Sequence, residues 1–270
     1  MLLGLIGYPL SHSLSPLMHN RAFGALDLQA QYCLFSVKEE DLRDTVYGLK
    51  TIGSLGFNVT IPYKQKVISF LDEITPQAAE IGAVNLVYRK GERFIGDNSD
   101  APGFIRALKE ADQDPQGKRS LIVGSGGAAR AVAVGLRDSG SEVIVTSRQK
   151  PKAKFWEQFP WLQLKKDLSM SVDLVVDCTP VGMYPDNSAQ PVIDPRLFKK
   201  ETVFCDLVYN PLRTSLIKVA EATGHQVVTG DGMLLYQGAI SFEKWFLQKA
   251  PVNVMQEALS EYLEGGKKND

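Results

Sequence analysis

Ser120-Leu121-Ile122-Val123-Gly124-Ser125-Gly126-Gly127-Ala128-Ala129-Arg130 is the stretch that decides the fold. It runs from an apolar strand through a glycine turn into a helix of small residues. Gly124 suits the tight turn, and Gly126 lets the backbone come close to a pyrophosphate. Gly127, with Ala128 and Ala129, lets the helix pack closely on the strand. With Ser125 between the glycines, the turn offers its N–H groups and the helix N-terminus to an anion. A glycine triplet alone is weak evidence. Here a strand precedes it, a helix follows, and a second strand, Glu142-Val143-Ile144-Val145-Thr146-Ser147, comes next. That order is the dinucleotide-binding unit.

The end of the second strand reports on the ribose. An NAD site usually places an acidic residue about 20 residues beyond the first glycine, on the 2′-hydroxyl. This chain has Ser147-Arg148-Gln149-Lys150-Pro151-Lys152 there. A carboxylate would repel a 2′-phosphate, whereas a guanidinium grips it. Ser147, Arg148 and Lys152 therefore predict NADP as the cofactor.

Outward from this unit, apolar runs alternate with amphipathic stretches. Strands are expected at 2–7, 30–37, 55–60, 84–89, 120–124, 142–147, 172–178, 202–207 and 225–229. Helices are expected at 14–26, 40–52, 64–71, 100–112, 127–139, 213–223, 233–247 and 252–264. Such alternation predicts an α/β protein with parallel sheets. A boundary falls near 97–119, and the last helices follow the doubly wound unit. The expectation is two domains: a Rossmann-type dinucleotide-binding domain at 101–235, and an α/β substrate domain at 1–100 completed by helices returning at 236–270. The Gly-Gly-Lys-Lys-Asn-Asp tail is expected to fray.

Composition excludes several functions. The 270 residues are 44% hydrophobic and 23% charged, with 30 basic against 31 acidic side chains and a net charge of −1. Nothing in that balance pulls toward nucleic acid or an anionic membrane. No apolar run reaches the roughly 18–20 residues of a membrane span. The opening Met-Leu-Leu-Gly-Leu-Ile-Gly lacks the basic flank of a signal peptide and reads as a buried strand. Three scattered cysteines and three histidines without ligand spacing predict reduced thiols, no metal and a cytoplasmic protein.

Four polar segments outside the dinucleotide unit follow or interrupt apolar runs, where strand-end loops carry ligand groups. They are Ser11-His12-Ser13-Leu14-Ser15-Pro16, Asn58-Val59-Thr60-Ile61-Pro62-Tyr63-Lys64, Gly82-Ala83-Val84-Asn85 and Gly96-Asp97-Asn98-Ser99-Asp100-Ala101-Pro102-Gly103. Hydroxyls, amides, a lysine and an aspartate suit a small polyhydroxylated acid. In order with VGSGGAAR, CTPVGMYP, DLVYNP and GDGMLLYQG, these segments resemble the shikimate dehydrogenase family over nearly the whole chain. The resemblance implies reversible NADPH-dependent reduction of 3-dehydroshikimate to shikimate, by two domains facing a cleft. It implies that Lys64 and Asp100 are the catalytic pair and that Ser13 and Ser15 hold the substrate carboxylate. Ser15 is also placed to cap the helix that follows. By the same resemblance Thr60, Asn85 and Gln237 bind substrate hydroxyls. Tyr209 lies near the substrate, Gly230 and Met233 lie on the cofactor side, and His12 is structural. The partner is a small molecule, and the chain acts as a monomer or homodimer. Two other readings use the same residues: a broader quinate/shikimate dehydrogenase, and an NADP-binding regulator without turnover. The second has no use for a lysine–aspartate pair.

Overall fold

The computed structural model describes residues 1–10, 13–163 and 172–265. His12 and tail residues 266–270 lie outside the described residues. The chain divides into two compact units, Met1–Asp100 with Leu235–Asp270, and Ala101–Leu234.

The first unit is built on a six-stranded sheet of β1 (Leu2–Gly7), β2 (Gln31–Ser36), β3 (Gly56–Val59), β4 (Glu73–Ile74), β5 (Leu86–Lys90) and β6 (Arg93–Asp97), in the order β2-β1-β3-β5-β6-β4. Strand β1 is buried almost throughout because it lies at the sheet interior, parallel to both β2 and β3. One face packs Ile6, Phe57, Val59, Val87 and Phe94 against Val46 and Leu49 of α2 (Leu42–Thr51). The remaining helices of this unit are α1 (Ser15–Ala25), α3 (Pro76–Ile81) and α8 (Val252–Gly265). Between α1, β2 and the helix that carries Trp245 lies an aromatic group in which His19 stacks on Tyr32 at 4.5 Å and tilts against Trp245 at 5.3 Å.

The second unit begins at Ala101, one residue into α4 (Asp100–Glu110), whose first residue belongs to the first unit, and runs through β7 (Arg119–Val123), α5 (Gly127–Asp138), β8 (Glu142–Ser147), β9 (Trp161–Gln163), β10 (Leu174–Asp177), β11 (Val203–Asp206), α6 (Ser215–Ala222) and β12 (Val227–Val228). The unit boundary falls inside the longest helix, α7 (Gly230–Phe246). The sheet order is β12-β11-β10-β7-β8-β9 and every pair is parallel. That is the doubly wound order whose switch point, between β7 and β10, lies where a dinucleotide binds. Both faces are covered: Ile122, Val145 and Val176 pack toward one apolar cluster, Leu121, Ile144 and Val175 toward another. Alternation on fully buried parallel strands explains the continuous apolar runs of the sequence.

Several expectations need correction. The first sheet is mixed: β5 runs antiparallel to both β3 and β6. The turn Lys90-Gly91-Glu92, with Gly91 at φ 60°, makes a hairpin that was not expected. The helix expected at 64–71 is a short 3-10 helix, Lys66–Phe70, ended by Leu71 in an extended conformation. One turn cannot offset the cost of nucleating an α-helix. Strands β4, β6 and β9 and helix α3 were also not anticipated.

Candidate active site and dinucleotide turn

In the first unit the segment after β3 turns sharply: Tyr63 N–H donates to the Thr60 carbonyl at 2.9 Å, and Thr60 N–H donates to the Ile6 carbonyl at 2.9 Å. The buried Tyr63 ring anchors this turn through its hydroxyl, which donates to the Val37 carbonyl at 2.7 Å. Lys64 is thereby carried from the surface toward the first turn of α4. Its Nζ lies 2.6 Å from Oδ2 of Asp100, with side-chain exposures of 16% and 7%. A pair this enclosed is held only if its remaining hydrogen bonds are met. On the carboxylate side Asn85 Nδ2 donates to Asp100 Oδ1 at 2.8 Å, and the Asp100 main chain is held by its N–H donating to Asn98 Oδ1 at 3.1 Å. Asp100 also opens α4, where the helix N-terminus favours a carboxylate.

Lys64, Asn85 and Asp100 are therefore brought together by contact. Ser13 and Ser15 meet as well, Ser15 N–H donating to Ser13 Oγ at 3.3 Å. The cap position of α1 is Leu14 and no side chain caps it, so the capping alternative for Ser15 fails. Ser15 is buried, whereas Ser13, Thr60 and Gln237 are half-buried. Gln237 lies one helical turn before Ser241 on α7, and Ser241 Oγ donates to its carbonyl at 2.9 Å.

In the second unit Gly124 has φ +111°, a conformation that side-chain-bearing residues rarely adopt, and an added Cβ would sit 3.3 Å from Thr179. Above Gly126 the space is open, with no atom within 4 Å of an added Cβ. Gly126 is the cap position of α5 and no side chain caps that helix, so its leading N–H groups face outward for an anion. Ser125 is exposed and Gly127 and Ala128 are half-buried beside it. At the end of β8, Arg148 and Lys152 are exposed. The Ser147 hydroxyl is already engaged, donating to the Gln149 carbonyl at 2.6 Å and accepting from Trp161 Nε1 at 3.2 Å. It shapes the loop that presents the two basic residues. The open turn, the uncapped helix and a basic loop free of carboxylates fit a dinucleotide carrying a 2′-phosphate.

Tyr209 is half-buried in the loop after β11. Gly230 is fixed by packing, since an added Cβ would collide with the Leu207 and Val208 carbonyls. Met233 packs into the apolar cluster with Phe104 and Leu108. Sequence reasoning missed Arg130, whose buried Nε lacks a hydrogen-bond partner while its guanidinium lies 5.2 Å from the Phe155 ring centroid. It missed Asn58, Ser99 and Ser241 as well, which form a buried frame behind Asn85. Among the described residues no group of His, Cys, Asp and Glu could hold a metal, and no helix is long and apolar enough to cross a membrane.

A Rossmann-type sheet with an open phosphate turn, and another α/β unit holding a largely enclosed lysine–carboxylate pair, define the class of nicotinamide-dinucleotide oxidoreductases. Residues 5–87 match the family described as shikimate dehydrogenase substrate binding domain, and 230–259 match the shikimate 5'-dehydrogenase C-terminal domain. A shikimate dehydrogenase (NADP(+)) of Carboxydothermus hydrogenoformans is 44% identical over 268 residues, covering 96% of each chain. Among solved structures, a shikimate dehydrogenase in complex with NADP+ is 37% identical, with a TM-score of 0.90 over 97% of this chain and 95% of that one. The Thermus thermophilus enzyme, solved with NADP(H) and shikimate, is 36% identical, with a TM-score of 0.89 over 97% and 99%. The chain belongs to the shikimate dehydrogenase family.

Proposed function

We propose that this chain catalyses the reversible NADPH-dependent reduction of 3-dehydroshikimate to shikimate. The observation that carries the reading is the enclosed Lys64–Asp100 pair, 2.6 Å apart, in a chain of this family. NADPH, when bound, supplies the hydride. As the substrate ketone becomes an alkoxide, Lys64 Nζ stabilises the growing charge and gives its proton to that oxygen; in the reverse direction the neutral amine takes it back. Asp100 keeps the lysine oriented with one oxygen, while Asn85 fixes the other. The carboxylate's remaining lone pairs suit the hydroxyl next to the reacting carbon.

In the same reading Ser13 and Ser15 hold the substrate carboxylate, and Thr60, Asn85, Gln237 and Tyr209 its hydroxyls. Residues 1–100 with 236–270 form the substrate domain and 101–235 the NADP domain. There Gly124, Ser125, Gly126, Gly127 and Ala128 hold the pyrophosphate, Ser147, Arg148 and Lys152 the 2′-phosphate end, and Gly230 and Met233 flank the nicotinamide side. The free thiols of Cys33, Cys178 and Cys205 support a reducing, cytoplasmic setting.

The test is an activity matrix of NADP and NAD against shikimate and quinate, followed at 340 nm. The NADP–shikimate combination should be fastest. Absence of reduction in every combination would leave only a dinucleotide-binding regulator, and a faster quinate rate would transfer the reading to the broader enzyme.

A further inference from the structure

Behind the lysine–aspartate pair the first unit contains a closed run of buried polar groups. Asn85 Nδ2, besides holding Asp100, donates to Ser99 Oγ at 3.0 Å, and its Oδ1 accepts the Ser99 N–H at 2.7 Å. The Asn85 carbonyl accepts from Asn58 Nδ2 at 3.0 Å. The same Nδ2 donates to Ser241 Oγ on α7 at 2.9 Å, and Ser241 Oγ lies 3.4 Å from Ser99 Oγ. Asn58 Oδ1 accepts the Tyr32 hydroxyl at 2.8 Å. Tyr32, Asn58, Asn85, Ser99 and Ser241 are each at most 4% exposed. The Asn85 carbonyl can only accept, so the nitrogen end of the Asn58 amide faces it, and the oxygen end is left to accept from the Tyr32 hydroxyl.

We propose that Asn58 is a positioning residue for the reaction. Its amide, oriented by Tyr32 and tied to α7 by Ser241, fixes the main chain of Asn85, so that the Asn85 side chain holds Asp100 in register with Lys64. The inference rests on the Lys64–Asp100 reading above. Asn58 touches neither member of the pair; it acts through Asn85. A fully bonded buried frame of this kind rigidifies what it supports, and a displacement of about 1 Å at a reacting group costs up to about 10²-fold in rate.

The experiment uses Asn58→Asp, which keeps the shape but replaces the Nδ2 donor by a carboxyl oxygen. When protonated, that carboxyl can donate to the Asn85 carbonyl; when ionised it can only repel it. Turnover with NADP and shikimate at pH 8 should fall about 10- to 100-fold with the Michaelis constant changed less than about three-fold. The ratio of variant to wild-type turnover should recover as pH is lowered toward 6, since a buried carboxyl titrates high. Thr202→Val, which removes a buried hydroxyl donating to Val172 in the other unit at 2.7 Å, serves as a stability control. It should lower the melting temperature without changing the turnover ratio at any pH. Lys64→Ala is measured beside them. If Lys64→Ala is slow while Asn58→Asp turns over as the wild type does, or its ratio is flat with pH, the positioning role is overturned and the pair stands. If Lys64→Ala is itself unimpaired, the pair falls.

Discussion

Replacing Asp177 with asparagine should stabilise the protein at alkaline pH and leave it nearly unchanged in acid. Asp177 and Asp206 end β10 and β11 and are register partners, so both side chains leave the sheet on one face. Each is 2% exposed. Burial is the main cause that raises the Asp177 pKa to about 6, against hydrogen bonds from Thr179 that lower it. Burial also leads in pushing Asp206 up to about 7; the Thr214 hydroxyl opposes it, the charge of Asp177 adds to it, and the Val208 N–H opposes it. The ordinary value is 3.8, so between about pH 4 and 7 the folded chain binds protons that the unfolded chain releases. Stability therefore falls as pH rises through that window, and the loss is complete above it. A shift of about two units in Asp177 corresponds to about 3 kcal/mol. The two carboxyls titrate together, so this is the upper end for one of them. Asparagine keeps an oxygen for the Thr179 N–H, now 2.8 Å from Asp177 Oδ1, and removes the charge. The expected gain at pH 8 is about 1–3 kcal/mol, seen as about 2–4 °C in Tm for each kcal/mol. Thermal melts of both proteins from pH 4.5 to 8.5 measure it. A difference in Tm that is the same at both ends of that range would refute the reasoning.

Other outcomes follow from the same geometry. Arg148→Ala, and more strongly Arg148→Ala with Lys152→Ala, should weaken NADP use by about ten- to hundred-fold, the worth of a charge-assisted contact of about 1.5–3 kcal/mol, while NAD use changes little. Equal losses with both cofactors, in initial-rate kinetics, would detach the loop from the 2′-phosphate. His19 is fully buried with both ring nitrogens unpartnered, and burial lowers its pKa from 6.5 to about 3. Its contribution is present above pH 6.5 and is lost as pH falls toward 3, by about 1.4 kcal/mol for each unit. In denaturant titrations His19→Leu should lose that part of the acid-side decline, and an unchanged slope between pH 6.5 and 4.5 would contradict the assignment.

The dinucleotide unit was legible because its signals are local. Gly124 to Ala129 sit between a buried strand and a helix, and period and composition agree over a continuous stretch. The contact between Lys64 and Asp100 was to be expected only through the resemblance, since spacing alone does not bring the turn after β3 to the first turn of α4. The mixed character of the first sheet escaped because β6 is short and the Gly91 turn lies in a charged run, Arg89 to Arg93. Strand β4 has two residues and α3 has six, too few to display a period. The frame around Asn58 was illegible for another reason. Its partner Ser241 is distant in sequence, and a buried serine between Ile240 and Phe242 looks like any other small residue until the fold brings the amide to it.

The most direct measurement is the turnover number of Lys64→Ala, Asp100→Asn and the double variant, with folding checked by circular dichroism. The account predicts that Lys64→Ala is slower by about 10²- to 10⁴-fold, with shikimate binding reduced far less. Asp100→Asn should also be slow, and the double variant scarcely slower than Lys64→Ala, because the two side chains, 2.6 Å apart, act as one unit. A Lys64→Ala protein with near wild-type turnover across the pH range would contradict the mechanism, and losses that simply add would contradict the pair.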